Sequence, residues 1–502
     1  MAEKLTLGVD FGGSSSKATL LREDGRVIAH STREYPSYHP FPGWYEQDAD
    51  ELYEALLFNI RAILRDSRAD PADICAVALD AATHMAVLCD ENDRPVRKFI
   101  HWSDSRSTDQ AARLRRQNGA LLEAHAFNAV SSAWTIAQLQ WLRDNEPEIL
   151  EKTRRIYFAK DYLRSRLTGD FCTDSIEIMG ALLADDTTGA WSPELCALVG
   201  LDISMLPEIK APDAIAGAVT PEAAALTGLR AGTPVIVGTT DTVMEIYASG
   251  AVAPGDATIK LATAGRICPI TTGPLDGRHF YNYRHVVPGL WYPGTTTRTC
   301  AASFKWFKNT FCQLEAREAQ ENGESVYTVL DREAALVPPG SGDLFFHPWL
   351  QGEISPYNND CLRASFTGVG INHGKSHFIR AVMEGVAYSM RDCMELIRAE
   401  RVPVEQLRVI GGGARSELWR QILSDVLDRE LCSTVENDSS LGSAMLAGTA
   451  VGMFEGHADS VAKCVRRSGM TRPDPARREL YARGYERYRE ISRAMLGLYE
   501  EP

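Results

Sequence analysis

The sequence lacks long apolar runs and any regular arrangement of cysteines. No stretch of about 18 apolar residues, the length that a membrane-spanning helix needs, occurs among its 502 residues. Met1–Lys4 do not form the charged-then-apolar start of a signal peptide. The eleven cysteines are scattered singly, without a Cys-x-x-Cys pair. We therefore expect a cytoplasmic protein with reduced, mostly buried thiols rather than a disulfide framework or a membrane protein.

The sequence also lacks an excess of basic charge and a complete nucleotide-binding consensus. Its formal net charge is −14, which argues against general nucleic-acid binding because that function needs a basic face. It contains no G-x-x-x-x-G-K-[ST] segment. The Gly-rich turn at 411–413 has neither the G-x-G-x-x-G spacing nor the following acid of a dinucleotide-binding fold. The sequence therefore predicts neither a P-loop protein nor a dinucleotide-binding fold.

Length and local patterns indicate an α/β protein with more than one domain. At 502 residues the chain is too long for a single core. Apolar residues make up 44% and charged residues 24%, as in ordinary globular proteins. Two strand–turn–strand hairpins, at 5–21 and 256–269, each open a half of about 250 residues and indicate an internal duplication.

The first hairpin has the features of a phosphate-binding turn. Leu5–Val9 predicts a buried strand, which ends at Asp10. Glycine lets the main chain approach a ligand closely, and the N–H groups of such a turn can bind an anion. The candidate phosphate-binding residues are Gly12, Gly13, Ser14, Ser15 and Lys17. Asp10 is placed to hold a hydrated Mg²⁺ beside the phosphates, although an ordinary Gly/Ser-rich hairpin fits the segment equally well.

Asp241 is the candidate general base. It follows the buried strand Pro234–Gly238 and precedes a predicted helix. Clefts in α/β sheets usually open at the carboxyl ends of strands. Phosphoryl transfer needs a phosphate cradle, Mg²⁺ and a carboxylate that accepts the proton of the acceptor hydroxyl. The alternative interpretation is a helix N-cap, which the position alone favours.

Polar and aromatic residues at two successive strand ends form a candidate sugar or polyol site. These residues are His84, Trp102, Asp104 and Arg106. The acid and the guanidinium can hydrogen-bond hydroxyl groups, while the indole offers an apolar face. The alternative is that all four lie in ordinary surface loops.

A series of motifs spans about residues 5–455 in one order. The segments are Val9–Lys17, Pro42–Asp48, Trp102–Arg106, Lys160–Leu163, Leu167–Gly169, Gly238–Asp241, Arg380–Gly385, Gly411–Ser416 with Trp419, and Leu441–Ala444. Together they resemble the FGGY carbohydrate kinases, and most closely the xylulokinase-like branch. The resemblance implies an actin/hexokinase-like fold, in which two ribonuclease-H-like domains with a duplicated core face a deep cleft.

The resemblance also implies separate domains for the sugar and for ATP, and a set of site residues. It implies a sugar-binding N-terminal domain at 1–250, an ATP-binding C-terminal domain at 251–455, and a helical extension at 456–502. Asp241 matches the catalytic base and Asp10 the acid that is associated with the metal. His84 and the residue after the base, Thr242, match positions of the sugar pocket. The positions implied to bind ATP or its phosphates are Gly12, Gly13, Ser14, Ser15, Lys17, Thr263, Gly412, Gly413 and Ser416.

Four departures from the xylulokinase pattern bear on the substrate and on the ATP site. Ala82–Met85 replaces Gln-Met-His-Gly, and Thr242 replaces an asparagine, so the sugar pocket is altered. Ala262–Ala264 replaces Gly-Thr-Ser in the second hairpin, and Gly352–Ile354 replaces Gly-Glu-Arg. These latter two put full ATP-dependent activity in question.

The sequence thus predicts an ATP- and Mg²⁺-dependent kinase that acts on a terminal hydroxyl of a small sugar or polyol. A xylulose-like ketose is the first choice. The alternatives are another substrate of the family, such as ribulose, gluconate, erythritol or a signalling polyol, and a catalytically weak sugar- or nucleotide-binding regulator. The expected partner is the small-molecule substrate, with no nucleic acid and no membrane, and a homodimer is left open.

Overall fold

The computed structural model describes residues 3–276 and 279–499. Its α-helices are α1 Ala49–Ser67, α2 Thr108–His125, α3 Thr135–Asn145, α4 Pro147–Lys152, α5 Ala159–Thr168, α6 Glu177–Ala181, α7 Pro193–Leu198, α8 Pro221–Thr227, α9 Asp241–Ala248, α10 Ala301–Phe311, α11 Gln313–Asn322, α12 Val326–Ala335, α13 Lys375–Ala399, α14 Glu417–Leu427, α15 Ser439–Ala450, α16 His457–Cys464 and α17 Arg478–Leu496. None of the helices in the described ranges combines the length and the apolar character needed to cross a bilayer.

The strands are mostly short, and the longer ones belong to two sheets. They are β1 Leu5–Phe11, β2 Ser15–Arg22, β3 Val27–Glu34, β4 Glu46–Gln47, β5 Ile74–Ala81, β6 Ala86–Cys89, β7 Phe99–Ile100, β8 Arg155–Phe158, β9 Cys172–Asp174, β10 Ala184–Asp185, β11 Ala190–Trp191, β12 Glu208–Lys210, β13 Ile215–Ala218, β14 Pro234–Ile236, β15 Thr239–Thr240, β16 Gly255–Leu261, β17 Gly265–Pro269, β18 Thr295–Thr296, β19 Phe345–His347, β20 Ser365–Thr367, β21 Val404–Ile410, β22 Leu431–Thr434 and β23 Arg467–Thr471.

The chain forms two compact units. The first comprises the residues up to 252 together with 283–290 and 436–465, and the second comprises 253–282, 291–435 and the chain from 466 onward. This division differs from the domain boundaries expected from the sequence, because 436–465 was assigned to the C-terminal domain and the extension. The difference arises from helix α15, which packs on the first sheet.

The first sheet has the order β13-β14-β5-β1-β2-β3, with β15 also paired to β5. Strands β1 and β2 form the predicted hairpin, β3 continues it as an antiparallel meander, and β5 and β14 run parallel to β1. All seven residues of β1 are buried, as its apolar run predicts. This arrangement brings the carboxyl ends of β1, β5 and β15 to one edge of the sheet.

The second sheet repeats this order with different residues. It runs β18-β17-β16-β21-β22-β23. As in the first sheet, the two strands on one side of the opening strand form an antiparallel meander with it, and the next two on the other side run parallel to it. The repeated topology agrees with the internal duplication that the two hairpins indicate.

Helix α15 packs directly against β1 because both surfaces are made of small residues. A Cβ atom at Gly8 would lie 2.0 Å from the carbonyl oxygen of Ser440. The Thr6 hydroxyl donates a 2.8 Å hydrogen bond to the carbonyl oxygen of Ala444. Glycine at position 8 therefore allows a backbone approach that any side chain would block.

Two segments rich in charged or polar residues are more buried than their composition indicates. Helix α17 buries Tyr481, Tyr485 and Tyr488 in the core of the second unit. Nearly all of residues 173–180 are buried as well. In both segments, tertiary packing places residues inside the protein although their sequence neighbours are charged or polar.

Candidate active site

Three carboxylates meet at the edge where the parallel strands of the first sheet end. Asp10 of β1 is the direct partner of Asp80 of β5, and Asp80 in turn pairs with Thr239 of β15. Asp241 follows two residues later and begins α9. The sheet register therefore gathers residues that lie far apart in the sequence, at the edge where α/β proteins place their ligands.

The electrostatics of this edge are dominated by negative charge. Asp10 is 6% exposed and Asp80 is fully buried. Burial, together with the neighbouring carboxylates, raises the pKa of both groups above the ordinary range of an aspartate. A cluster of buried acids that resists ionisation is suited to receive a cation or a proton. Asp80 was not predicted as a site residue, although its place at the end of the next buried strand is a signal that the sequence contains.

Asp241 is the first residue of α9 and does not cap it. Thr240 occupies the N-cap position, so the alternative interpretation of Asp241 as the N-cap is wrong. The hydroxyl of Thr242 donates a 3.2 Å hydrogen bond to Oδ1 of Asp241. Its place in the first turn of a helix also favours the charged form of the carboxylate. Asp241 therefore has the chemistry of a proton acceptor and a fixed place at the strand ends.

The tip of the first hairpin is held by the loop that precedes α1. The carbonyl oxygen of Gly13 accepts hydrogen bonds from Gln47 Nε2 at 3.0 Å, from Ser37 Oγ at 3.2 Å and from the Tyr45 hydroxyl. Gly12 N–H donates to the carbonyl oxygen of Ser15 at 3.0 Å. The tip is thus pre-organised, and Ser14 is exposed beside it.

Lys17 is paired with an acid more than 400 positions further along the chain. Its Nζ lies 2.5 Å from Oδ2 of Asp438, which is the N-cap of α15. Although partial burial opposes the charged form, the facing Asp438 raises the pKa of Lys17 and keeps it cationic. No sequence motif pointed to Asp438, because its position depends on the packing of α15.

His84 is held in a buried, neutral state. It is 4% exposed and has a φ of 52°, in the left-handed region. Its backbone N–H donates to the Glu177 carboxylate, and its ring lies 4.9 Å from that of Trp134. Burial lowers the pKa of His84 to about 3. Its ring therefore acts as a neutral hydrogen-bonding group at physiological pH.

The surroundings of His84 contain polar atoms without a partner among the described residues. They are His84 Nδ1, His101 Nε2 and Glu177 Oε2, and all three side chains are at least nine-tenths buried. Buried polar atoms are normally hydrogen-bonded, so these atoms are available to the hydroxyl groups of a ligand. His101 and Glu177 were not selected from the sequence, because each needs the fold to bring it to its neighbours.

Asp104 and Arg106 differ from the sequence-based expectation of direct contact with a sugar. Their side chains are 0% exposed, and they form a salt bridge of 2.8 Å. Arg106 also contacts Glu46 and lies 3.8 Å above the ring of Trp44. The side chains of Asp104 and Arg106 therefore hold the 42–46 loop in place. Trp102, by contrast, is 42% exposed.

The second unit carries the Gly-rich turn. Gly411 follows β21 with a φ of 91°, and a Cβ atom at Gly412 would meet nothing within 4 Å. The hydroxyl of Ser416 accepts a 3.0 Å hydrogen bond from the backbone N–H of Trp419 and so caps α14. Thr263 is exposed at the tip of the β16–β17 hairpin. The unit thus presents an open glycine and a capped helix start, which suit a phosphate-containing ligand.

The donor set of the first unit fits a divalent cation that is completed by other ligands. No group of three His, Cys, Asp or Glu side chains in the described residues is arranged to hold a metal ion alone. Mg²⁺, however, is commonly bound by one or two carboxylates, several waters and substrate phosphates. Asp10 and its buried acidic neighbour, with the phosphate-binding turn beside them, meet that requirement.

The comparisons with known proteins agree with this geometry. The model of the FGGY family of carbohydrate kinases, N-terminal domain, matches residues 5–247, and that of the C-terminal domain matches 236–451. Xylulose kinase of Bacillus subtilis is 28% identical over 97% of this chain and 96% of its own. Gluconokinase of Bacillus licheniformis is 29% identical over 89% of this chain and 88% of its own. A crystal structure of xylulose kinase from Rhodospirillum rubrum matches with a TM-score of 0.89 at 28% identity, covering 99% of this chain and 100% of that one.

The duplicated sheets and the site at the strand ends define a phosphotransferase with the actin/hexokinase-like fold. The chain belongs to the FGGY family of carbohydrate kinases. ATP is the phosphoryl donor that this membership implies.

Proposed function

We propose that the protein transfers the γ-phosphate of ATP to a terminal hydroxyl of a small sugar or polyol, with a xylulose-like ketose as the leading substrate. The observation that carries the proposal is the position of Asp241, a carboxylate at the start of α9 that lies among the strand ends of the first sheet. Similarity to xylulose kinases over nearly the whole chain supports the choice of sugar.

In the proposed reaction Asp241 accepts the proton of the acceptor hydroxyl as that oxygen attacks the γ-phosphorus. Thr242 donates a hydrogen bond to the same carboxylate and so fixes its orientation. Phosphoryl transfer depends mainly on positioning and on charge neutralisation. A fixed carboxylate within reach of the hydroxyl is therefore the group whose loss should reduce the rate most.

The first hairpin would bind the transferred phosphate. Its Gly-rich turn would let a phosphate approach the backbone closely, and Lys17 supplies a positive charge. Mg²⁺, when bound, neutralises charge on the phosphate oxygens. Asp10 would hold that ion, and the fixed hairpin tip would keep the phosphate in line with the acceptor.

His84 would orient the sugar as a neutral hydrogen-bonding group. Its Nδ1 has no partner among the described residues, and the carboxylate of Glu177 accepts a hydrogen bond from the His84 backbone and so fixes it. Trp134 packs against the ring and restricts its rotation. In the second unit, Gly412, Gly413 and Ser416 would hold the nucleoside, with Thr263 at a phosphate.

We place this reaction in the cytoplasm, where free thiols persist. None of the eleven cysteines is paired in a disulfide.

A coupled assay of ADP release over a panel of acceptors tests the proposal. The panel should contain D- and L-xylulose, D-ribulose, D-gluconate, erythritol and glycerol. We expect the highest kcat/KM with a xylulose-like ketose. A higher kcat/KM with gluconate would make gluconate the preferred substrate instead of a ketose. Gluconokinase of Bacillus licheniformis is as similar in sequence identity, at 29%, as the xylulose kinase of Bacillus subtilis, at 28%. Tight sugar binding without turnover of any acceptor would contradict the kinase itself.

A further inference from the structure

We propose that Asp80 is a second carboxylate ligand of the divalent-cation site and acts together with Asp10. This inference rests on the proposed function. It concerns an acid that no motif identified and whose counterpart in the second sheet is not an acid.

The sheet register places the two carboxylates side by side. Asp10 and Asp80 are direct partners on the parallel strands β1 and β5. Parallel neighbours lie about 4.8 Å apart and direct-partner side chains share one face. The two carboxyl groups are close enough to hydrogen-bond each other when one carries a proton. They can therefore contact one small cation without moving the backbone.

Asp80 has an oxygen with no donor. Its side chain is fully buried, and Oδ2 accepts a 2.5 Å hydrogen bond from the Ser443 hydroxyl of α15. Oδ1 has no hydrogen-bond partner in the described part of the chain. An ionised oxygen that is buried without a partner is costly. A cation between Oδ1 and Asp10 would remove that cost.

The surrounding charges make a cation the natural partner. Asp241 and Asp438 both raise the electrostatic cost of ionising Asp10. Lys17, a cationic side chain that acts on Asp10, is already 2.5 Å from Asp438. Four acids thus face one ammonium group, and a divalent cation would nearly balance the cluster.

The competing explanation is that Asp80 is a neutral structural acid that bonds Asp10 and Ser443. The two explanations differ in whether removing the charge at position 80 changes metal affinity. They can be separated by Mn²⁺ titration of the wild type and Asp80→Asn, with free Mn²⁺ followed by electron paramagnetic resonance. Ser443→Ala keeps the carboxylate but removes its hydroxyl partner. Asp392→Asn neutralises a buried acid of the second unit, which bonds Tyr357 and Tyr485.

We expect Asp80→Asn to weaken Mn²⁺ binding by about tenfold or more, whereas Ser443→Ala and Asp392→Asn retain it. Unchanged affinity in Asp80→Asn, or no binding by the wild type, would overturn the proposal. Loss of Mn²⁺ binding in Asp80→Asn would support the assignment of Asp80 as a metal ligand even if no acceptor of the panel were phosphorylated. The test of this assignment is therefore independent of the test of the proposed function.

A second readout does not depend on titrating free metal. Neutralising one of two neighbouring buried carboxylates removes their mutual repulsion, and a bound ligand raises Tm in proportion to the logarithm of its concentration over Kd. We therefore expect Asp80→Asn to unfold at an equal or higher Tm than the wild type without Mg²⁺, and to lose the increase that Mg²⁺ gives the wild type. An equal increase in both proteins would contradict the proposal.

Discussion

The two sheets share one strand order but carry different charges where their opening strands end. In the first, the penultimate residue of β1 is Asp10, which lies beside Asp80 on the parallel neighbour. In the second, the penultimate residue of β16 is Lys260, which pairs with Ile410 on the parallel neighbour and with Arg266 across the hairpin. One scaffold thus supports an acidic edge in one unit and a basic edge in the other.

The difference indicates that the two units of a duplicated fold can bind different parts of the substrates. An acidic edge suits a metal ion and a proton acceptor, whereas a basic edge suits phosphates directly. The backbone sets where the edge lies, and single side chains set its chemistry. If the units are specialised in this way, substitutions in the first should affect catalysis and metal binding, and substitutions in the second should affect nucleotide binding.

The largest expected effect comes from Asp241→Asn in the first unit. The asparagine keeps the shape of the side chain but cannot accept the proton, so we expect kcat to fall by about 10²–10⁴-fold. Steady-state kinetics with the preferred acceptor would measure it. Sugar binding and Tm should stay close to those of the wild type. A variant with nearly normal kcat would show that the base is another residue.

The charge on the first hairpin should matter next. In Lys17→Met, Asp438 loses its partner at 2.5 Å and the phosphate loses a cation. Hydrogen bonds to charged groups contribute about 1.5–3 kcal/mol, so we expect kcat/KM for ATP to fall roughly 10–100-fold. Lys17→Arg, which keeps the charge, is the matched control and should recover part of the loss. Equal losses in both variants would argue against an electrostatic role.

The second unit should respond through nucleotide affinity alone. A Cβ atom at Gly412 meets nothing in the protein, so Gly412→Ala should fold normally. It should raise KM for ATP by about tenfold, equivalent to about 1.4 kcal/mol, and leave KM for the sugar unchanged. Gly411→Ala is the contrasting variant, because its φ of 91° and a Cβ only 2.6 Å from Leu261 O predict lost stability instead. An unchanged KM for ATP in Gly412→Ala would remove this turn from the nucleotide site.

The smallest effect concerns pH and should appear in both units. Burial raises the pKa of Asp186 in the first unit to about 7 and that of Glu353 in the second to about 8. In the unfolded chain both carboxyl groups have an ordinary pKa of about 4. Between about pH 4 and the raised pKa of each group, the folded protein therefore keeps a proton that the unfolded chain has released. Stability should fall as pH rises through that window.

Melting temperatures between pH 4 and 9 would measure this dependence. Asp186→Asn should reduce the fall of Tm with pH up to about pH 7, and Glu353→Gln should reduce it up to about pH 8. Curves that keep the wild-type slope in both variants would show that neither acid is responsible.

Much of the fold and part of the site were predictable, because the signals were local. The apolar run of β1 and the Gly-rich turns each depend on a few neighbouring residues. Asp80 and Asp438 were missed because their importance arises from strand register and from the packing of α15. Asp104 and Arg106 were assigned to the sugar because their contacts with Glu46 and Trp44 could not be anticipated. The sequence thus predicts the elements well, but not the pairings between distant ones.

The most direct test of the account is single-turnover transfer from γ-labelled ATP to a ketose such as D-xylulose, comparing the wild type with Asp241→Asn. We expect the label to move from ATP to a terminal oxygen of the sugar in the wild type, and transfer in the variant to be slower by orders of magnitude at similar substrate binding. Label that stays on ATP or appears only as inorganic phosphate in the wild type, for every acceptor of the panel, would contradict it.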